Sequence, residues 1–323
     1  MKLATFSTRG AAGKLGLISR DLTAILDIQS AARDLSGMND YDGFANMQGL
    51  IDAGAAALDQ LNDVADRATR SERHWQALSS GVSLLAPLPE PRQLRDFAGF
   101  KQHLIDGPYG LLRMQARERG EPVPPKPAGL AKPLEDNPLF YFGNRLNVVG
   151  HDADIGWPRD CKYLDFEVEI GACIGTTAKN ISRDNASAHI FGYTIFNDVS
   201  ARDIQSEQMP GGLGPCKAKS CDGCNVLGPW IVTRDEMQSP YGGTAYVRVN
   251  GEEWAKKPIT GTVHDFAAMI EFASRDETIF AGEVFGSGTI SGCCGLEMDR
   301  WIKKGDVVEL EVEGIGILRN RYL

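Results

Sequence analysis

The segment Leu164-Asp165-Phe166-Glu167-Val168-Glu169-Ile170-Gly171 constrains the fold of this chain more than any other. Phe166, Val168 and Ile170 alternate with Glu167 and Glu169 at the period of a β-strand, so both carboxylates leave one face of it. The flanking runs, including Phe191 to Phe196, are apolar, which places that face in a cleft rather than in open solvent. Two carboxylates buried side by side raise each other's pKa unless a cation lies between them. Asp198, at the end of the apolar run, adds a third oxygen donor. Carboxylates without clustered His or Cys select a hard, oxygen-loving ion: Mg²⁺ first, with Ca²⁺ or Mn²⁺ as alternatives.

Strand patterns dominate from Leu139 onward. Asn250-Gly251 marks a tight hairpin, and Val307 to Gly314 alternates like a half-buried strand. One helix, about His264 to Ser274, interrupts them. Upstream, the first forty residues alternate short apolar runs (Leu15 to Ser19, Ala24 to Ile28) with turns, as a small β-rich module does. From Asp42 to Arg70, Phe44, Met47, Leu50, Ile51, Leu58 and Leu61 recur at three- and four-residue spacing and predict an amphipathic helix. Val82 to Leu85 reads as a short strand and Arg92 to Asp106 as a helix. Glu121 to Pro138 carries six prolines and reads as a loop, a candidate rim for an active site. The expected fold is α+β and β-rich, with a small N-terminal α+β module over residues 1–80 and a catalytic domain over residues 81–323.

A net charge of −9 argues against a nucleic-acid surface and suits a protein that handles small molecules. The chain lacks a run of about eighteen apolar residues and a signal-like start, so the expectation is a cytoplasmic protein without a membrane partner. Seven cysteines, an odd number, fit reduced thiols better than a disulfide framework. Cys221-Asp222-Gly223-Cys224 has neither a second such pair nor a nearby His to complete a zinc site, so it is read as structural. His74, His151, His189 and His264 show no partner pattern and are read as surface or hydrogen-bonded structural groups.

The strand above, Phe196-Asn197-Asp198-Val199-Ser200-Ala201-Arg202-Asp203-Ile204-Gln205, Lys219-Ser220-Cys221-Asp222-Gly223, Leu227-Gly228-Pro229-Trp230 and Ser287-Gly288-Thr289-Ile290-Ser291-Gly292 occur in one order. Together they resemble the fumarylacetoacetate hydrolase family over roughly residues 80 to 323. The resemblance implies a mixed, highly rolled β domain behind a smaller N-terminal one, a homodimer, and a divalent cation that chelates a diketo acid substrate. The implied reaction is hydrolysis of a carbon–carbon bond in a 1,3-diketone or 2,4-dioxo acid. Hydratases, decarboxylases and keto–enol isomerases of the family are the alternative.

Carried over by position, Glu167, Glu169 and Asp198 match the family's metal carboxylates, and Asp96 a fourth. Arg202, Gln205 and Lys219 match its substrate-facing polar groups, with Lys219 stabilising the tetrahedral oxyanion, and Tyr141 and Thr289 match substrate contacts. His103 matches the catalytic base and Glu297 the glutamate that orients it. On a helix, Asp96 and His103 would share a side about 10 Å apart along the axis. Ala98 and Leu112 stand where fumarylacetoacetases keep a tyrosine and an arginine that grip a substrate carboxylate, which turns the expectation away from fumarylacetoacetate itself.

Overall fold

The computed structural model describes residues 1–8, 10–38, 41–70 and 72–323. Among them, a 12-stranded sheet follows the order Trp75–Ala77, Ala24–Asp27, Lys14–Ile18, Lys2–Thr8, Asn225–Thr233, Ile190–Asp198, Val168–Ile174, Val284–Gly286, Leu94–Phe97 and Phe140–Phe142. Val82–Leu84 and Val148–Val149 attach beside this line. Lys2 and Leu3 pair with Val232 and Ile231, so the N-terminal strands continue the sheet that carries the later motifs. The central strands Val168–Ile174, Ile190–Asp198 and Asn225–Thr233 are buried along their whole length, as strands covered on both faces must be.

A second, five-stranded sheet runs Glu252–Pro258, Thr244–Val249, Val307–Val312, Gly316–Tyr322 and Asp154–Ile155. Alternate residues of its inner strands are buried, so one face of it packs on the core. Val247, Leu310 and Leu318 share a core there with Val168, Ile170 and Ile195 of the main sheet. A second core lies under the N-terminal strands, where Leu3, Leu15 and Leu26 meet Ala31, Leu50 and Leu61 of two helices.

Those helices show local causes. Met47–Ala68 starts at Asn46, whose side chain accepts the Gly49 N–H, and buries the stripe Met47, Leu50, Ile51, Ala57, Leu61, Val64 and Ala68. Ile28–Ser36 is bracketed by Asp27, whose carboxylate accepts the Ser30 N–H, and by Gly37 at φ 64°. The sequence reading left that helix out although both caps are visible in it. At the predicted hairpin Asn250 and Gly251 both take positive φ, 52° and 82°, the pair a two-residue hairpin of right-handed twist demands.

Three expectations are corrected. Residues 92–106 are not one helix: Leu94–Phe97 is a buried strand, parallel to Val284–Gly286, and the helix Lys101–Arg119 follows it. Gly99 makes the break, since a Cβ there would lie 2.2 Å from the Ser287 carbonyl oxygen. Asp96 and His103 therefore do not share a helix. The proline-rich segment holds a short helix, Lys132–Asp136, with Pro133 in its first turn, where the missing N–H costs nothing. Cys221 and Cys224 are disulfide-paired, because the intervening turn, with Gly223 at φ 75°, brings their Cα atoms to 5.2 Å. Cys161, Cys173, Cys216, Cys293 and Cys294 are free thiols.

Candidate active site

Glu169 and Asp198 lie at the same end of two paired strands, in the register Glu169 to Phe196. Asp96 reaches them across Gly286, which pairs with Gly171 on one side and Asp96 on the other. A Cβ on Gly286 would stand 2.5 Å from Asp96 Oδ1 and 2.9 Å from Glu169 Oε2, so the bare glycine leaves room for the carboxylates to meet. One oxygen from each of the buried Asp96, Glu169 and Asp198 falls within 4.8 Å of the others. The Gly288 N–H donates to Glu169 Oε2 at 3.0 Å, the Thr289 hydroxyl to Glu169 Oε1 at 3.4 Å, and the Tyr141 hydroxyl to Asp198 Oδ2 at 2.8 Å. Asp96 Oδ1 and Asp198 Oδ1 are buried without a hydrogen-bond partner. Hard oxygen donors converging with open lone pairs fit a divalent cation.

Glu167 is placed differently from its three companions. Arg202 Nη2 sits 2.8 Å from it, the Lys219 ammonium touches it, and His103 Nε2 is 3.8 Å away. Lys219 also contacts Asp198. Burial alone would raise the Glu167 carboxyl, but Arg202, Lys219 and His103 outweigh it and hold it well below the usual carboxylate range. Glu169 goes the other way: burial raises it, and the neighbouring Asp96 and Asp198 raise it further. Asp198 is likewise raised, chiefly by burial, with Lys219 opposing. Arg202 is 1% exposed and stands behind Glu167, bonded through Nε to Asp165 at 2.8 Å, and is not part of the cavity wall. Gln205 does line the cavity, and its Oε1 accepts from Arg202 Nη1 at 3.0 Å.

His103 stands in the first turn of Lys101–Arg119, its N–H donating to the Ser291 hydroxyl at 3.2 Å. Its Nδ1 lies 3.2 Å from Glu297 Oε2. Burial pulls the imidazole pKa down, yet the charge and hydrogen bond of Glu297 and the charge of Glu167 together outweigh it and leave the value raised. Glu297 Oε2 also accepts from the Gly292 N–H at 3.0 Å and the Cys294 thiol at 3.2 Å. The short helix that bears it, Gly295–Met298, donates the Gly295 and Leu296 N–H groups to Asp165 at 2.8 and 2.9 Å. Asp165 thus braces both Arg202 and the Glu297 turn. Sequence reasoning passed over Asp165 and Cys294 as site residues. Asp165 carried a signal, since it precedes Glu167 and Glu169 on the same period-two face; Cys294 carried none.

A cavity of about 350 Å³ opens onto Asp96, Glu167, Glu169, His103, Lys219 and Tyr141. It offers a triad of acids for a cation, an imidazole with an orienting carboxylate, and an ammonium.

A family model described as fumarylacetoacetate (FAA) hydrolase C-terminal matches residues 116–322. The chain is 27% identical to the oxaloacetate tautomerase YisK of Bacillus subtilis over 312 residues, 95% of each chain. Among solved structures, fumarylacetoacetate hydrolase from Exiguobacterium antarcticum superposes with a TM-score of 0.72 at 24% identity, covering 100% of this chain and 99% of that one. Maleylpyruvate hydrolase from Sphingobium sp. SYK-6, solved with manganese(II) and pyruvate, gives 0.71 at 21% identity with the same coverage. With its acids and His103–Glu297 pair in place, and with the match running through most of its length, the chain belongs to the fumarylacetoacetate hydrolase family.

Proposed function

We propose that this chain is a metal-dependent hydrolase that cleaves the carbon–carbon bond of an acylpyruvate-type 2,4-dioxo acid. The observation that carries the reading is the His103–Glu297 pair at 3.2 Å, whose His103 lines the same cavity as Asp96 and Glu169. A divalent cation held by Asp96, Glu169 and Asp198 would supply Lewis-acid stabilisation of negative charge on the dicarbonyl oxygens. His103 Nε2 takes a proton from water, whose oxygen bonds to the distal carbonyl carbon, while Glu297 beside Nδ1 stabilises the imidazolium. Lys219 and the Gln205 amide face the cavity and stabilise the developing oxyanion. When the carbon–carbon bond breaks, its electron pair leaves with the pyruvate fragment, which takes back the proton held by His103. The acyl fragment leaves as a carboxylic acid, which ionises to the carboxylate by releasing water's second proton to solvent.

The test is incubation of acetylpyruvate with the Mg²⁺- or Mn²⁺-supplemented protein in isotopically labelled water. Equimolar pyruvate and acetate with label in the acetate is the expected result. Failure to cleave any acylpyruvate of a chain-length panel removes the proposal. A second reading, keto–enol tautomerisation of a 2-oxo acid such as oxaloacetate, is favoured by the match to a tautomerase across 95% of both chains. It uses the same base to move a proton between carbon and oxygen without consuming water. Accelerated enol decay of oxaloacetate, with no label entering product carboxylate, would select it.

A further inference from the structure

We infer that the outer part of the cavity seats an uncharged, apolar substituent, so that this chain takes acylpyruvates with an alkyl or aryl tail rather than a second carboxylate. The inference rests on the reading that the acid triad and Lys219 hold the dicarbonyl end. Polar groups of the cavity are buried: Asp96 is 6% exposed, Glu169 1% and Lys219 6%. Apart from the half-buried His103, Tyr141 and Gln205, the remaining wall is largely apolar, formed by Leu104, Leu134, Leu139, Phe140, Met209 and Pro215. Leu139 and Met209 are 38% and 43% exposed, which places this wall toward the mouth. Its geometry is held from outside, since the His264 Nε2–H donates to the Leu134 carbonyl at 2.9 Å.

No positive group among the described residues lining the cavity is free to receive a tail carboxylate. Among the described residues that line the cavity, Lys219 is the only permanent cation, and it is engaged by Glu167 and Asp198. His103 faces Glu297. Beyond the lining, Arg113 donates to the Leu296 carbonyl at 2.7 Å, Lys126 pairs with Asp106, and Lys132 with Asp136 at 2.8 Å. Ala98 offers the cavity a methyl, and Leu112 is exposed on the helix surface outside it. A terminal carboxylate would lose its water against Leu139 and Met209 without gaining a partner, in the field of the acids below. An alkyl chain there covers exposed apolar surface, and each methylene it buries favours binding.

The test uses oxamates, which mimic the pyruvate end and carry no bond for this reaction to cleave. Calorimetry with the Mg²⁺-supplemented protein compares oxamate, N-hexyloxamate and N-(carboxypentyl)oxamate, and turnover compares hexanoylpyruvate with adipoylpyruvate. The hexyl probe is expected to bind roughly tenfold or more tighter than the carboxypentyl probe, with kcat/KM ranked the same way. Met209→Arg, at an exposed position that tolerates the change, narrows or reverses that preference. Equal or tighter binding of the carboxypentyl probe, with oxamate itself binding, overturns the tail seat alone. If oxamate does not bind, the reading of the dicarbonyl end falls and the inference with it. Hexyl selectivity without turnover of any acylpyruvate keeps the seat and removes the hydrolase.

Discussion

Glu169 and Asp198 hold their protons at higher pH than ordinary carboxyls, first because they are buried and then because acids crowd them. A cation needs those oxygens ionised, so its binding displaces the protons and its affinity climbs as pH rises toward the raised values. Calorimetric titration with Mn²⁺ in buffers of different ionisation enthalpy should report net proton release, and a heat that does not vary with the buffer contradicts it. His103 works in the opposite sense, being active when neutral. Burial lowers its pKa, and Glu297, with help from Glu167, more than restores it, so Glu297→Gln should move the acid limb of kcat/KM to lower pH. A merely structural glutamate would leave that limb in place. His103→Asn should lower kcat by about 10² to 10⁴ while Mn²⁺ still binds. Glu167, Glu169 and Asp198 were legible in sequence because period-two alternation is local. That Glu167 would belong to Arg202 and Lys219 was not, since both cations arrive from segments whose approach is set by tertiary packing.

The elements around the site act through backbone clearance. Gly286 sits between Asp96 and Glu169, and Gly286→Ala would drive a methyl into both carboxylates. The expected outcome is loss of measurable Mn²⁺ binding with destabilisation of about 1–3 kcal/mol. Gly251→Ala makes the control: its φ of 82° penalises a side chain, so the thermal midpoint falls, but no atom lies within 4 Å of the added methyl and cation affinity holds. Equal effects of the two substitutions on Mn²⁺ binding would contradict the role given to Gly286. The hairpin at Asn250-Gly251 could be read from two residues because its conformation is decided there. Leu94–Phe97 could not be, because a four-residue strand is defined by partners near residues 140 and 285, and its own spacing looks helical when joined to the true helix after Gly99.

Across the whole molecule, residue 80 is the expected boundary between the N-terminal module and the catalytic domain, but backbone pairing crosses it. Lys2–Thr8 covers the edge of Asn225–Thr233, a strand whose nine residues are all buried, and Leu3 packs with Phe191, Leu227 and Ile231. Asn225–Thr233 in turn pairs with Ile190–Asp198, the strand that ends in Asp198 of the acid triad. Taking away the N-terminal segment would open that edge and its apolar face together, leaving unpaired N–H and C=O groups around Ile231 and Val232 in the strand whose other end, Asn225, pairs with Asp198. Stability of the site and of the first 80 residues should therefore rise and fall as one unit. Scanning calorimetry is expected to show a single transition whose calorimetric and van't Hoff enthalpies agree, raised in temperature as one peak by added Mn²⁺. Two separable transitions, with only the later one moved by Mn²⁺, would show instead that the N-terminal segment folds apart from the site it borders.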